Sequence, residues 1–312
     1  MEQANSAYKV DFLRPEGEPS LVPPDSPQWR VINNTISLGI GGIAAVLLEF
    51  ADARIRSGVW DHSVFKTDPL GRSQRTATAN LAGVFGPASA ARRLIAGVNR
   101  MHAKVVGETP SGETYRATEP ELLDWVSATA GYCFLESYHR FVRPVSAADR
   151  LRYYEDGKDV ARLYGVRQPL GSDADFFAML DRLSPRFESH QINIDFLNIV
   201  QSRQQSKVKR FLSRAMVRAA VSLLPPKVRA SLALGKEYDL TLLDSLVIRT
   251  LARLVDRIRS RKSPAWKAAV RLGLPGNFIW LSPSRKRAIL ASKPKFEQWD
   301  VRDDSPVGEQ SA

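Results

Sequence analysis

A mainly α-helical single domain is the fold that three features of this sequence predict. Apolar residues recur at helical spacing through most of residues 31–300. No strand–turn–strand alternation repeats along the chain. Helix-start signals, a Ser or Thr followed by proline or an acidic first turn, mark off successive segments. With 312 residues, 44% hydrophobic and 25% charged, the chain has the composition of a soluble protein able to bury a large core. Residues 1–30 read as a polar leader with no apolar signal region, 31–300 as the helical domain and 301–312 as a disordered tail. A cytoplasmic location is the corresponding expectation.

Taken in order, the apolar run Ile36–Leu48, broken by glycines 39, 41 and 42, is too short to span a bilayer and reads as a buried helix. Next comes Gly58-Val-Trp-Asp-His-Ser-Val-Phe65, leading into Asp68-Pro-Leu-Gly-Arg-Ser-Gln-Arg-Thr76. In a helix, Arg72, Arg75 and Thr76 share a face, so two guanidinium forks and a hydroxyl suit an anionic or oxygen-rich ligand. A surface cluster fits the same pattern. Leu94, Val98, Met101, His102 and Val105 then form one apolar stripe, which aims the His102 imidazole at a core. A histidine so placed is hydrogen-bonded, held neutral or bound to a metal. Thr118-Glu-Pro-Glu121 reads as a capping box opening a helix to about Phe141. Ser146 caps a helix from Ala147 to about Gly165, and Ser172 another that ends near Pro185.

The chain's charge is uneven. Its net +12 arises from residues 201–300, which hold 22 Lys and Arg against 6 Asp and Glu. Arg203, Lys207, Arg210, Arg214 and Arg218 make one basic helix face, with Val208, Phe211, Leu212, Ala215 and Ala219 opposite. A second amphipathic helix places Val247, Leu251, Leu254, Val255 and Ile258 inward and Arg249, Arg253 and Arg257 outward. Such faces serve as solvated surface, contact anionic lipid or bind nucleic acid. No zinc finger, RNP-like motif or helix-turn-helix signature accompanies the charge, so no nucleic-acid partner is expected.

Metal chemistry is narrowly bounded. A single cysteine, Cys133, excludes a disulfide framework and a cysteine-rich zinc site, and as a small hydrophobe it belongs to the core. His62, His102, His139 and His190 show no paired spacing for a metal held by protein ligands alone, whereas a cofactor-borne metal needs one ligand. There is no GxGxxG after a strand and no Walker lysine.

In order and spacing, the GV..HS.F segment, DPLGR..RT, the helix with an isolated histidine, Trp125..Ala128-Thr129 and Tyr138..Phe141 resemble the rubber oxygenase and mycophenolate-type oxygenase catalytic domain, which includes the latex-clearing proteins. The resemblance spans roughly residues 35–220. It implies an all-helical fold around one haem b, with His102 as the iron ligand. It also implies Arg72, Arg75 and Thr76 as the catalytic set beside the haem, and His62, Trp125 and Thr129 as further cofactor-pocket residues. The implied reaction is haem-dependent oxygenation, by dioxygen, of a lipophilic unsaturated substrate, isoprenoid-like or fatty; the basic C-terminal helices would add peripheral contact with anionic membrane, where such substrates dissolve.

There are departures from the family pattern. Asp52-Ala53 stands where many relatives carry His-Pro, and the exported branch's signal is missing, so rubber itself is not the expected substrate. The family's catalytic carboxylate has only Glu49 and Asp52 as nearby acidic candidates. A helical protein without catalysis, binding anionic membrane or lipid through its basic C-terminal helices, is the alternative from a different class, and a haem carrier or sensor is a third.

Overall fold

The structure, a computed structural model, describes residues 10–64, 68–202 and 206–293. Phe65, Arg203 and the expected tail at 301–312 lie outside the described residues. In order, the helices are α1 (Pro27–Asn33), α2 (Thr35–Glu49), α3 (Ala53–His62), α4 (Pro69–Phe85) and α5 (Ala88–His102). A hairpin of β1 (Val106–Glu108) and β2 (Thr114–Arg116) follows, with Gly107 opposite Tyr115. The chain continues as α6 (Pro120–Phe141), α7 (Ala147–Glu155), α8 (Lys158–Leu163), α9 (Asp173–Leu183), α10 (Gln191–Ser202), α11 (Lys207–Val221), α12 (Pro226–Ser231), α13 (Leu242–Arg257), α14 (Pro264–Arg271) and α15 (Pro283–Ala291). This is the mainly α architecture expected from the periodicity; the small hairpin is the one sheet among the described residues.

The axis of the fold is the antiparallel pair α2–α6. The apolar run Ile36–Leu48 does form a buried helix, and Ile40, Ala44, Leu47 and Leu48 have essentially no exposure. Its glycines let neighbouring helices come close. A Cβ on Gly41 would meet the Cys133 carbonyl oxygen at 2.8 Å and the Phe134 ring at 2.9 Å. Seven residues on from Gly41, the Trp125 indole Nε1 donates to the Leu48 carbonyl (3.2 Å), satisfying a group that the end of α2 would otherwise leave open. α11 and α13 pack against the other side of α2, and α4 packs along α5.

Several boundaries moved for tertiary reasons. α6 starts with Glu119, not Thr118, at its N-cap; the Glu119 carboxylate instead accepts from the Arg116 backbone N–H (2.7 Å), tying the helix to the hairpin. The helix expected from Ala147 to Gly165 is split at Asp156–Gly157, where the Gln28 amide donates to the Tyr153 carbonyl (2.7 Å) and the Gly157 N–H turns to the Tyr154 carbonyl instead of continuing the α-helical ladder. α5 ends at His102, so Val105 lies beyond it and Met101 is exposed. Ser146 and Ser172 cap α7 and α9 as expected.

Buried arginines and acids lock the helices together. Asp256 on α13 accepts from Tyr138 (3.0 Å), Arg30 (3.1 Å) and Arg143 (2.7 Å). Arg271 on α14 is buried and donates to the carbonyls of Phe12 and Glu18 and to the Ser20 hydroxyl, which clamps the N-terminal segment to the C-terminal helices. The basic region faces differently from the expectation: Val208 and Phe211 point outward, and α13 buries Asp244, Ile248, Ala252 and Asp256 while Leu254 and Ile258 stay exposed.

Gly41→Val is expected to destabilise the fold by about 1–3 kcal/mol, since its branched side chain must displace the α6 backbone. Gly42→Ala is the control, because its nearest neighbour is the Phe134 ring at 3.9 Å; it should be neutral or gain up to about 1 kcal/mol of helix propensity. Urea unfolding of both variants makes the comparison.

Candidate functional site

Two side chains distant in sequence, Glu49 and Thr129, meet where α2 ends, and the charge of Arg72 reaches both Glu49 and His102. Glu49 closes α2, and its Oε1 lies 3.2 Å from the Thr129 hydroxyl on α6. Arg72, from the first turns of α4, is close enough for its charge to act on both Glu49 and His102, the last residue of α5. Glu49 sits here because Trp125 holds the carbonyl of the preceding residue and Gly41 sets the spacing of α2 from α6. Arg72 sits here because Asp68 caps α4, accepting from the Gly71 N–H (2.9 Å) just before it.

Electrostatics divide the group sharply. Burial pushes the Glu49 carboxyl pKa up to about 7, outweighing the opposing pull of Arg72 and the Thr129 hydrogen bond. A carboxyl near 7 both gives and takes a proton at neutral pH. Burial, aided by the Arg72 charge, lowers the His102 pKa, so its ring is held neutral although it ends a helix. Arg72 itself is drawn below the usual guanidinium range by burial, against the pull of Glu49, but an arginine so placed stays charged.

The Thr129 hydroxyl stands between two acceptors, Glu49 and the Val126 carbonyl (2.9 Å). Its single proton therefore goes to the carboxylate when Glu49 is ionised, and to the carbonyl when Glu49 is itself the donor.

His102 Nδ1 is buried without a hydrogen-bond partner, and one turn earlier Asn99 Oδ1 is in the same condition, although Asn99 Nδ2 donates to the Leu163 carbonyl (2.8 Å). A neutral, buried, unsatisfied imidazole is costly for a fold unless a ligand completes it. No group of three or more His, Cys, Asp or Glu side chains is arranged to hold a metal ion among the described residues. A porphyrin iron requires one protein nitrogen, and His102 fits that requirement.

The other expected residues are placed as follows. Arg75 faces Asp68 (3.6 Å), and Thr76 is exposed, with its hydroxyl donating to the Arg72 carbonyl (3.2 Å), so both adjoin Arg72 along its own helix. Trp125 is fully buried, stacked on Phe176 at 5.8 Å. His62 is exposed at the end of α3, its ring edge-on to Tyr115. Of the two acidic candidates, Asp52 caps α3 and is paired with Arg54 (2.7 Å), whereas Glu49 joins the cluster. Burial and the nearby Glu49 and Glu136 charges push the Cys133 thiol well up, and it stays in the core. His139 and His190 accept backbone N–H groups of Val145 (3.0 Å) and Ile192 (3.1 Å). What the periodicity left undecided was Glu49, which ends α2 and is the single charged residue within it.

A family model described as "ER-bound oxygenase mpaB/B'/Rubber oxygenase, catalytic domain" matches residues 29–257, a span that contains all four clustered residues. No curated protein matches the chain, and no solved structure does.

Because its protonated form is favoured in the fold, Glu49 lends stability that is complete below its ordinary value of 4.5 and lost as pH rises through about 7. Haem-free Glu49→Gln should therefore gain about 2–3 kcal/mol relative to the native chain between pH 5 and pH 8. A difference that does not change with pH, in urea unfolding at both values, means that Glu49 ionises normally.

Proposed function

Because this chain belongs to the mpaB/rubber oxygenase catalytic-domain family, a family of oxygenases, we propose that it is a haem b-dependent oxygenase acting on a lipophilic unsaturated substrate, isoprenoid-like or fatty. The observation that carries this reading is the convergence of a neutral, unsatisfied His102 with Arg72, Glu49 and Thr129. Its substrates are a small molecule and dioxygen.

When bound, haem would supply the activation of dioxygen and its transfer to carbon. His102 is the residue that would hold the iron, since burial and Arg72 keep its ring deprotonated and thus able to ligate. Arg72 offers a fixed positive fork suited to a haem propionate or to negative charge developing during the reaction. Arg75 and Thr76 stand one turn along the same helix, where they support Arg72 or extend its reach to the same anion.

Glu49 is the group able to move a proton. With its pKa near 7 it takes a proton at Oε1 or Oε2 from an activated C–H of the substrate and returns it, while Thr129 reorients its hydroxyl to match. The fully buried Leu48 and Trp125 make the ground beneath Glu49 apolar, which keeps water away from its inner side and is compatible with a hydrocarbon substrate. Trp125 and Thr129 present one face of α6 to the end of α2, whereas His62 is exposed beside Tyr115 of the hairpin.

Absorption spectra of protein produced with a haem supply test the reading. A Soret band is expected in the native chain and should be lost or displaced in His102→Ala. Glu49→Gln should keep the band but lower oxygen uptake with an unsaturated lipid by about 10²-fold or more. A folded native protein that stays colourless after haem reconstitution overturns the proposal.

A further inference from the structure

The outward face of α13 carries an unusual load of apolar surface. Leu242 is 91% exposed, Leu246 65%, Leu243 59% and Leu254 51%, and Ile258, directly after the helix, is 59% exposed. At about 100° per residue these five fall within one half of the helix circumference. Arg249, Arg253 and Arg257 share that half and its flank, while Asp244, Ile248, Ala252 and Asp256 point into the protein. With Val208 and Phe211 of the adjacent α11, this pair of helices holds seven of the fourteen exposed large apolar side chains among the described residues. Among those same residues Arg249 and Arg257 have no ion-pair partner, and Arg253 donates to the Val142 carbonyl (3.2 Å).

We propose that this face of α13 is a docking surface for an anionic lipid bilayer. Leucines that project among arginines match the layering of a membrane interface: apolar side chains enter the acyl boundary while guanidinium groups reach lipid phosphates. Charge complementarity selects this occupant over the two rivals. A second copy pressed against the same face through a two-fold axis would set arginines against arginines. Nucleic acid would use the arginines and leave the leucines against a hydrophilic backbone. The surrounding sequence strengthens the attraction, since residues 201–300 hold 22 basic and 6 acidic side chains. No single helix among the described residues is long and apolar enough to cross a membrane, and the face lies flat on the surface of the protein.

The position within the fold is informative. Asn34, at the start of α2, donates to the Ala252 carbonyl on the inward side of α13 (2.9 Å), so the helix that carries the docking face lies over the beginning of α2 whereas Glu49 ends it. At 1.5 Å rise per residue the two are separated by roughly 22 Å. The face therefore holds the protein at a membrane without occluding the cluster. Docking of this kind needs neither haem nor turnover.

Co-sedimentation of the full chain with phosphatidylcholine vesicles, with and without about one-third phosphatidylserine, tests this. Binding is expected only to the anionic vesicles and should weaken as salt rises from about 0.1 to 0.5 M. Leu246→Ser with Leu254→Ser should weaken it by about tenfold or more with unchanged melting temperature. Arg249→Glu with Arg257→Glu should remove the salt-sensitive part. Leu151→Ser, exposed on α7, should bind like the native chain. Undiminished binding by a folded leucine double variant overturns the proposal. So does a native dimer, seen by light scattering, that the leucine variant turns into monomer, or tight duplex DNA binding indifferent to those leucines.

Discussion

Close contact between α2 and α6 is the constraint on which the rest depends. Only a residue without a side chain at position 41 lets the two backbones approach to the distance at which the Cys133 carbonyl sits. That approach fixes where α2 ends, and Trp125 then secures its last turn by donating to Leu48. Glu49 is consequently delivered to the Thr129 hydroxyl (3.2 Å). Its raised pKa is thus a packing effect: the carboxyl is placed where hydration is poor and one hydroxyl and one distant charge are all that offset the loss.

Arg72 reconciles two groups that would otherwise conflict. A cation beside a carboxyl lowers its pKa, and beside an imidazole it lowers that pKa too. The same guanidinium therefore moderates the burial of Glu49 and reinforces the neutrality of His102. An acid poised near neutrality and a base locked in its unprotonated form are the two properties a ligand-bearing, proton-handling site requires. Neither group attains its state alone.

Elsewhere charge serves cohesion. Asp256 gathers Arg30, Arg143 and Tyr138, and Arg54 pairs with Asp52 (2.7 Å) and Glu121 (2.9 Å), so that helices far apart in sequence are joined by charged hydrogen bonds. Buried ions are costly to desolvate, and such pairs secure a unique arrangement more than they add stability. They also explain why α13 turns its polar residues inward. Asp244 pairs with Arg218 (3.0 Å) and Asp256 with its arginines, and the leucines of the helix are left facing outward.

How much was legible follows from which forces act locally. Helical periodicity in Ile36–Leu48 and the serine caps at 146 and 172 depend on neighbours within one turn, and the sequence by itself determined those elements and the mainly α class. The shared order of short motifs likewise pointed to the family. Thr118 failed as a cap because Glu119 was engaged by the hairpin, and α7 stopped at Gly157, where Gln28 arrives from α1 to donate to the Tyr153 carbonyl. On α13, spacing alone assigned Leu254 and Ile258 inward, since a pattern counts apolar residues and cannot see that two aspartates have arginine partners waiting inside. The choice of Glu49 over Asp52 was made only by the tertiary structure. Two acids three residues apart are equivalent in sequence, but Asp52 is taken up by capping its helix and pairing with Arg54, while Glu49 meets Thr129 of α6, and long-range partners are a property of the assembled fold.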